Sequence, residues 1–290
     1  MNSDQTQRQW TGKTDGLPWM LKSLIKILRY TPLPVIYAIV DVVIVFYMIF
    51  RPSATKAQYQ LFHLRFGKNK VQSLLSVYRN MRQFGKVIID RFAVYGGRQF
   101  NITIENNKWL EDCYQSDLPL VILSGHIGNF ELAGYFLKPK NKQMYVVMYG
   151  GDKAVVMQNR TKFLTPNDIH LIFSQSDTNY LFEINNALAN GDMLAMLADR
   201  VFGSKRTLTT NILDKDVRLP LGPFKTTLLR PANICVVFAV KTSTRDYTIY
   251  LTPINATTPQ ELADNYAKEI DKIMRRYPYQ WFNYYNFWND

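Results

Sequence analysis

The sequence predicts an α/β fold, a single domain with a central, largely parallel or mixed sheet flanked by helices and an N-terminal hydrophobic helical membrane anchor. Three observations support this. Short apolar runs recur at residues 120–123, 143–149, 169–173, 193–197, 207–213, 234–240 and 247–253, the length and composition of strands buried in a sheet. Helical patterns separate several of them, and strand–helix alternation builds parallel sheets with helices on their faces. A chain of 290 residues, 47% apolar and 20% charged, is large and apolar enough to bury one such core.

Residues 1–50 read as the anchoring segment and 51–290 as the α/β domain. Residues 17–30 form an amphipathic helical pattern. Leu21, Leu24, Ile25 and Leu28 fall at i, i+3, i+4 and i+7, with Lys22, Lys26 and Arg29 on another side and Trp19 near the start. Cationic helices of this type lie in anionic membrane surfaces, although an ordinary surface helix docked on a core has the same pattern. Residues 34–50 are apolar except for Asp41, at the short end of the roughly 17–25 residues that cross a bilayer. A charge at mid-span costs roughly 2.5–3.5 kcal/mol on insertion scales, so a buried or half-embedded helix is expected there. Residues 70–95 read as one or two helices stopped by Gly96-Gly97, and Phe100, Ile102 and Ile104 alternate as a short strand. The last helix starts at Thr258, with Pro259 at its first position and Glu261 completing a capping-box pattern, and it closes on Arg275-Arg276. The aromatic-dense tail that follows, 279–288, could be a core lid, an interface or a membrane-facing patch.

The net charge is +12, and residues 1–100 hold 15 Lys or Arg against four aspartates, so nearly all the excess lies in the first third. That third also holds the most apolar stretches. Charge clustered with apolar surface, and no nucleic-acid module, points to a membrane surface and away from DNA or RNA. The polar opening residues and the lack of a small-residue cleavage pattern predict no signal peptide and a cytoplasmic globular part. Cys113 and Cys235 make no disulfide framework, and Cys235, within an apolar run, is expected as a buried free thiol.

Chemistry concentrates in His126-Ile127-Gly128-Asn129-Phe130-Glu131, set between the strand at 120–123 and an apolar-periodic helix. The carboxyl ends of strands are where α/β sheets build sites. Residues five apart lie about 140° apart around an ideal helix, so His126 belongs in the turn and Glu131 inside the helix. Gly125 and Gly128 supply turn freedom, and the small residues Ser124 and Gly125 would let another molecule approach the ring. A carboxylate holding one ring nitrogen leaves the other as a proton acceptor, a general base worth ~10²–10⁴-fold in rate. Equally, Glu131 could complement the positive end of its helix and His126 could be a hydrogen-bonded turn residue.

Other motifs fail. Gly12-Lys13-Thr14 lacks the upstream glycine and strand of a phosphate-binding loop. The chain has no G-x-S-x-G and no H-E-x-x-H, and His63, His126 and His170 are too far apart in sequence to suggest local metal ligation.

Several motifs occur in order: Trp10-Thr11-Gly12-Lys13-Thr14; the H-x4-E motif; Ala198-Asp199-Arg200 with Gly203; Leu219-Pro220-Leu221-Gly222-Pro223-Phe224; and Arg275-Arg276-Tyr277-Pro278-Tyr279-Gln280-Trp281-Phe282. Together the sequence resembles the bacterial lipid A biosynthesis (late, secondary) acyltransferases, within the lysophospholipid acyltransferase superfamily. The resemblance implies an acyltransferase at the cytoplasmic side of the bacterial inner membrane, monotopic or held by a single anchor. His126 would be the catalytic base and Glu131 its orienting partner, with Gly128, Asn129, Asp199, Arg200 and Gly203 as substrate-binding positions. Arg200 would suit a phosphate or the oxyanion, and a strand-end salt bridge is the plainer role for Asp199 and Arg200. The donor would be an acyl thioester on acyl carrier protein or coenzyme A, the acceptor a lipid, and no metal or other cofactor is needed. An arginine common after the dyad in that family has only Arg160 as a weak counterpart, and Arg230-Pro231-Ala232-Asn233 replaces a glycine-containing turn, so the acceptor could differ from lipid A. The rival readings are a hydrolase using the same dyad with water, and a non-enzymatic membrane-surface scaffold.

Overall fold

A computed structural model of the chain describes residues 18–137, 141–149, 169–174, 179–201 and 206–288. Helices α1 (Pro18–Tyr30) and α2 (Leu33–Phe50) are followed by α3 (Pro52–Gln60), which winds on into a π-helical turn over Leu61–Arg65. Helix α4 (Lys70–Tyr95) is a single 26-residue rod. Asn69 starts it with a capping box, its side chain accepting from Gln72 N at 2.9 Å while the Gln72 side chain accepts from Asn69 N at 3.4 Å. Both α1 and α2 pack on α4.

Sequence chemistry explains the docking of α2. Gly85 on α4 removes the side chain at the crossing, where a Cβ would stand 2.6 Å from Val40 Cγ1. Three residues before it, Arg82 holds Asp41 through two bonds of 2.5 and 2.7 Å, so the charge that would oppose insertion is paired. Leu33, Ile36, Tyr37 and Ile44 of α2 are buried, while Ile39, Val42, Val43, Phe46, Ile49 and Phe50 stay exposed. One stripe of α2 therefore packs on the domain, and the rest is open and apolar.

Strands β1 (Asn101–Ile104), β2 (Leu120–Ser124), β3 (Met144–Tyr149), β4 (Ile169–Ser174), β5 (Met193–Leu197), β8 (Asn233–Lys241) and β9 (Asp246–Pro253) form one sheet in the order β1-β9-β8-β2-β5-β3-β4. Every neighbouring pair is parallel except β8 and β9, joined by a hairpin. The largely parallel sheet is therefore as expected. Between the strands lie α5 (Asn107–Gln115), α6 (Phe130–Phe136), α7 (Asn179–Ala189) and α8 (Leu221–Thr227), and α9 (Pro259–Arg276) follows the sheet. Central β2 is buried throughout. Its alternate residues Val121 and Leu123 face the core shared with α4, α7 and α9, while Leu120 and Ile122 face the core shared with α5 and α6.

A separate hairpin was not expected. β6 (Thr207–Ile212) turns through Leu213 and Asp214, both at positive φ, into antiparallel β7 (Lys215–Pro220). The charged run Asp214-Lys215-Asp216 hides β7 in the sequence. Helix α9 begins as read, with the Thr258 hydroxyl accepting from Glu261 N at 3.2 Å, although the Glu261 carboxylate turns back to Thr257 N at 2.8 Å. The aromatic tail is a core lid, with Trp281, Phe282, Tyr284 and Phe287 all buried.

Candidate active site

The parallel pairing of β2 and β5 sets Ser124 opposite Leu197, so His126 and Asp199 each lie two residues beyond the carboxyl end of adjacent strands. A sharp loop carries the histidine. Ile127 N reaches Gly125 O at 2.7 Å, Gly128 N reaches Gln280 O at 2.8 Å, Asn129 N reaches Ala239 O at 2.7 Å, and Phe282 N donates to His126 O at 2.8 Å. Gly128 sits at φ +59, where a Cβ would fall 2.0 Å from Ala239 O, so backbone conformation and close approach both demand glycine.

His126 Nδ1 lies 2.7 Å from Asp199 Oδ1, and the His126 backbone N–H donates to Asp199 Oδ2 at 2.9 Å. Asn283 Nδ2 adds a third donor to Oδ2 at 3.2 Å. Asp199 is fully buried, and burial alone would raise its pKa. The His126 charge, the bonds from its ring and backbone, and the Arg200 charge outweigh burial and hold the carboxyl well below the ordinary carboxylate range. An ionised carboxylate only accepts, so Nδ1 carries a proton, and when the ring is neutral Nε2 is its acceptor atom. The imidazole stays partly accessible, its side chain 18% exposed, and stands edge-on to Phe130.

Four of the residues singled out in the sequence have contacts other than those expected. The carboxylate at His126 Nδ1 is Asp199, where the sequence suggested Glu131. Glu131 is instead held by α4, through Arg91 Nη1 at 2.6 Å and Tyr95 OH at 3.2 Å, and fastens α6 to that helix. Arg200 does not point at an open anion site: its Nε donates to Asn283 Oδ1 at 2.5 Å and its Nη2 to Phe282 O at 2.9 Å. The space at Gly125 is not left for a second molecule. A Cβ there would stand 3.1 Å from Tyr266 OH and 3.3 Å from Asp199 Cγ, so the small residue lets Asp199 and Tyr266 close on the loop. Asn129, expected at the substrate, is buried and caps α6 by accepting from Leu132 N, and Nδ2 donates to Val87 O. Gly128 supports the loop as above, and Gly203 lies outside the described residues, as does Arg160.

Sequence reasoning missed Asn283, Tyr266, Arg91 and Tyr95. Tyr266 donates to Ser124 O at 2.7 Å and Asn283 bridges Asp199 and Arg200. Their signal lay in single polar groups on apolar elements: Asn283 within the aromatic lid and Tyr266 on the buried face of α9. Among the described residues no group of His, Cys, Asp and Glu could hold a metal ion.

Comparison with known proteins adds a family to this geometry. A family model described as bacterial lipid A biosynthesis acyltransferase matches residues 13–289. Among solved structures, the 1-acyl-sn-glycerophosphate acyltransferase PlsC from Thermotoga maritima is similar at a TM-score of 0.42 and 11% identity, over 85% of this chain and 100% of that one. The pilus retraction motor PilT with bound ADP is similar at a TM-score of 0.26 and 10% identity, over 63% of this chain and 60% of that one. Both are distant likenesses. A search of curated proteins gave no match.

Proposed function

We propose, on the premise that this chain belongs to the bacterial lipid A biosynthesis acyltransferase family, that it moves a fatty acyl chain from an acyl thioester to a hydroxyl or amine of a lipid acceptor. The donor is carried on acyl carrier protein or coenzyme A. The observation that carries the mechanism is the His126–Asp199 pair at the carboxyl edge of β2 and β5, 2.7 Å apart at Nδ1.

Nε2 of His126 takes the proton from the acceptor as its oxygen or nitrogen attacks the thioester carbonyl carbon. The resulting imidazolium is stabilised by the buried Asp199 carboxylate, whose two oxygens fix the ring and its backbone together. Collapse of the tetrahedral intermediate breaks the carbon–sulfur bond, and the imidazolium returns its proton to the leaving thiolate. Glu131, locked to Arg91 and Tyr95, steadies the helix that follows the histidine.

The family acts at membranes, and α2 is the described helix long and apolar enough to cross one. Its stripe of contacts along α4 and the Asp41–Arg82 pair favour a helix lying on the domain with its open face in the lipid. On this reading the enzyme is a monotopic protein on the cytoplasmic face of the inner membrane, its N-terminal third opening the site toward hydrocarbon. The test is incubation of the purified protein with labelled acyl-carrier-protein and acyl-CoA donors and a panel of lysolipids, with mass analysis of products. An acylated lipid that forms with wild type and not with His126→Ala supports transfer. Free fatty acid alone would make the protein a hydrolase, and a His126→Ala variant that keeps its full function would make His126 structural.

A further inference from the structure

A cleft of about 410 Å³ opens between the middle of α4, the β8–β9 turn and the segment that leaves α9, within the ~300–1,000 Å³ range of small-ligand sites. Its described lining contains three cations, Lys86, Lys241 and Arg276, and no Asp or Glu. Lys241 is already neutralised, with Nζ 2.6 Å from Asp90 Oδ2. Lys86 is half-buried and rests over the Tyr37 ring at 5.0 Å, and Arg276 lies against the Tyr250 and Tyr277 rings. Neither makes an ion pair among the described residues. Gln83 and Thr242 supply uncharged polar groups to the same cleft.

The cleft also adjoins the catalytic loop. Gln280 lines it, takes the Gly128 N–H on its backbone oxygen, and clamps Lys241 by accepting from its N at 3.0 Å and donating to its O at 2.8 Å. Tyr37 brings in the buried side of α2, whose other face is the open apolar surface. We infer that this cleft is a phosphate subsite, in which Lys86 and Arg276 hold a phosphomonoester carried by one of the two substrates while its acyl portion lies toward the apolar face. The assignment deepens the acyl-transfer reading and rests on it. Two cations without an ion pair, half-buried Lys86 and exposed Arg276, line one cleft whose described lining holds no acid, which disfavours neutral or cationic ligands and suits a doubly charged oxyanion. Burial, then the charges of Arg82 and Lys241, lower the pKa of Lys86 against the opposing pull of Asp41 and Asp90, and a bound anion would favour its charged form. The acceptor lipid and the 3′-phosphate of a coenzyme A donor are the two sources of such a group.

Binding and kinetics separate the outcomes. The full chain in nonionic detergent is titrated calorimetrically with inorganic pyrophosphate, as wild type, Lys86→Met, Arg276→Gln and His126→Ala. Saturable 1:1 binding is expected, weakened about tenfold or more in each cleft variant, as befits loss of a charge-assisted bond, and unchanged in His126→Ala. In transfer assays the same cleft variants raise one KM by a similar factor, with kcat within about twofold. A rise for a phosphorylated lysolipid, absent for its dephosphorylated counterpart, identifies the acceptor; a rise for acyl-CoA, absent for acyl-3′-dephospho-CoA, identifies the donor's 3′-phosphate. Wild-type pyrophosphate binding and unaltered KM values in both cleft variants overturn the subsite and leave acyl transfer standing. Weakened binding in a protein that transfers no acyl group from any donor leaves an anion site and removes its place in acyl transfer.

Discussion

Replacing Asp199 by Asn tests the dyad at single-atom cost. The carboxylate accepts three hydrogen bonds, from His126 Nδ1 at 2.7 Å, His126 N at 2.9 Å and Asn283 Nδ2 at 3.2 Å. An amide offers one oxygen and one NH₂. If the NH₂ replaces Oδ2, it meets two donors at once. If it replaces Oδ1, it meets only Nδ1, which then becomes an acceptor while the proton moves to Nε2. The second arrangement has fewer clashes and places a proton on the atom that must act as base. We expect kcat to fall ~10²–10⁴-fold, with KM for the acceptor little changed, because the lost interaction belongs to the transition state. The assay is single-turnover transfer of labelled acyl chain, run beside Glu131→Gln, which can still accept from Arg91 and should retain the larger part of kcat. The reasoning is refuted if Asp199→Asn keeps the wild-type rate, or if Glu131→Gln loses as much. The same site sets an acid limit. Because the folded pKa of Asp199 is depressed, its stabilisation is present above the ordinary carboxylate value of about 3.9 and is lost as pH falls toward the folded value. The melting temperature of wild type should therefore drop below about pH 4 more steeply than that of Asp199→Asn.

Other consequences are open to measurement. Gly128→Ala combines a left-handed backbone with a Cβ 2.0 Å from Ala239 O, whereas Gly97→Ala combines a left-handed backbone with open space. Urea denaturation should give about 1–2 kcal/mol of loss at Gly97 and clearly more at Gly128, with transfer lost only there; equal losses would contradict the loop packing. Lys241→Met leaves Asp90 buried without its cation, and breaking such a pair costs about 3–5 kcal/mol. A loss below 1 kcal/mol, or no recovery in Asp90→Asn/Lys241→Met, would show that the buried pair does not stabilise the fold. Burial pushes the Cys113 thiol up to about 11 and the Cys235 thiol well above its ordinary range, so neither should react with an aromatic disulfide reagent at pH 8 until the protein unfolds.

Much of this was legible in the residues. Met193–Leu197 reads as a strand because five apolar residues sit between polar turns, and α9 reads from Thr258 and Pro259 because capping chemistry is local. Both place their elements within a residue. The hairpin partner β7 was hidden because its register depends on pairing with β6, not on its own pattern. The histidine was legible for the same local reason, since a turn after a buried strand must hold it at the sheet edge. Its partner was not. Glu131 is five residues away along the chain, while Asp199 is 73 residues away and reaches Nδ1 only because β5 pairs beside β2. Asn283 and Gln280 depend on the lid folding back over the loop, which no periodicity reports.

The nitrogen-bound proton of His126 gives the most direct measurement. With three histidines in the chain, ¹⁵N-labelled protein at neutral pH allows each ring to be assigned by substitution. His126 should be protonated at Nδ1, with a strongly downfield Nδ1–H resonance that survives Glu131→Gln and disappears in Asp199→Asn. A resting proton on Nε2, or a resonance that follows Glu131 instead of Asp199, would contradict the catalytic pair.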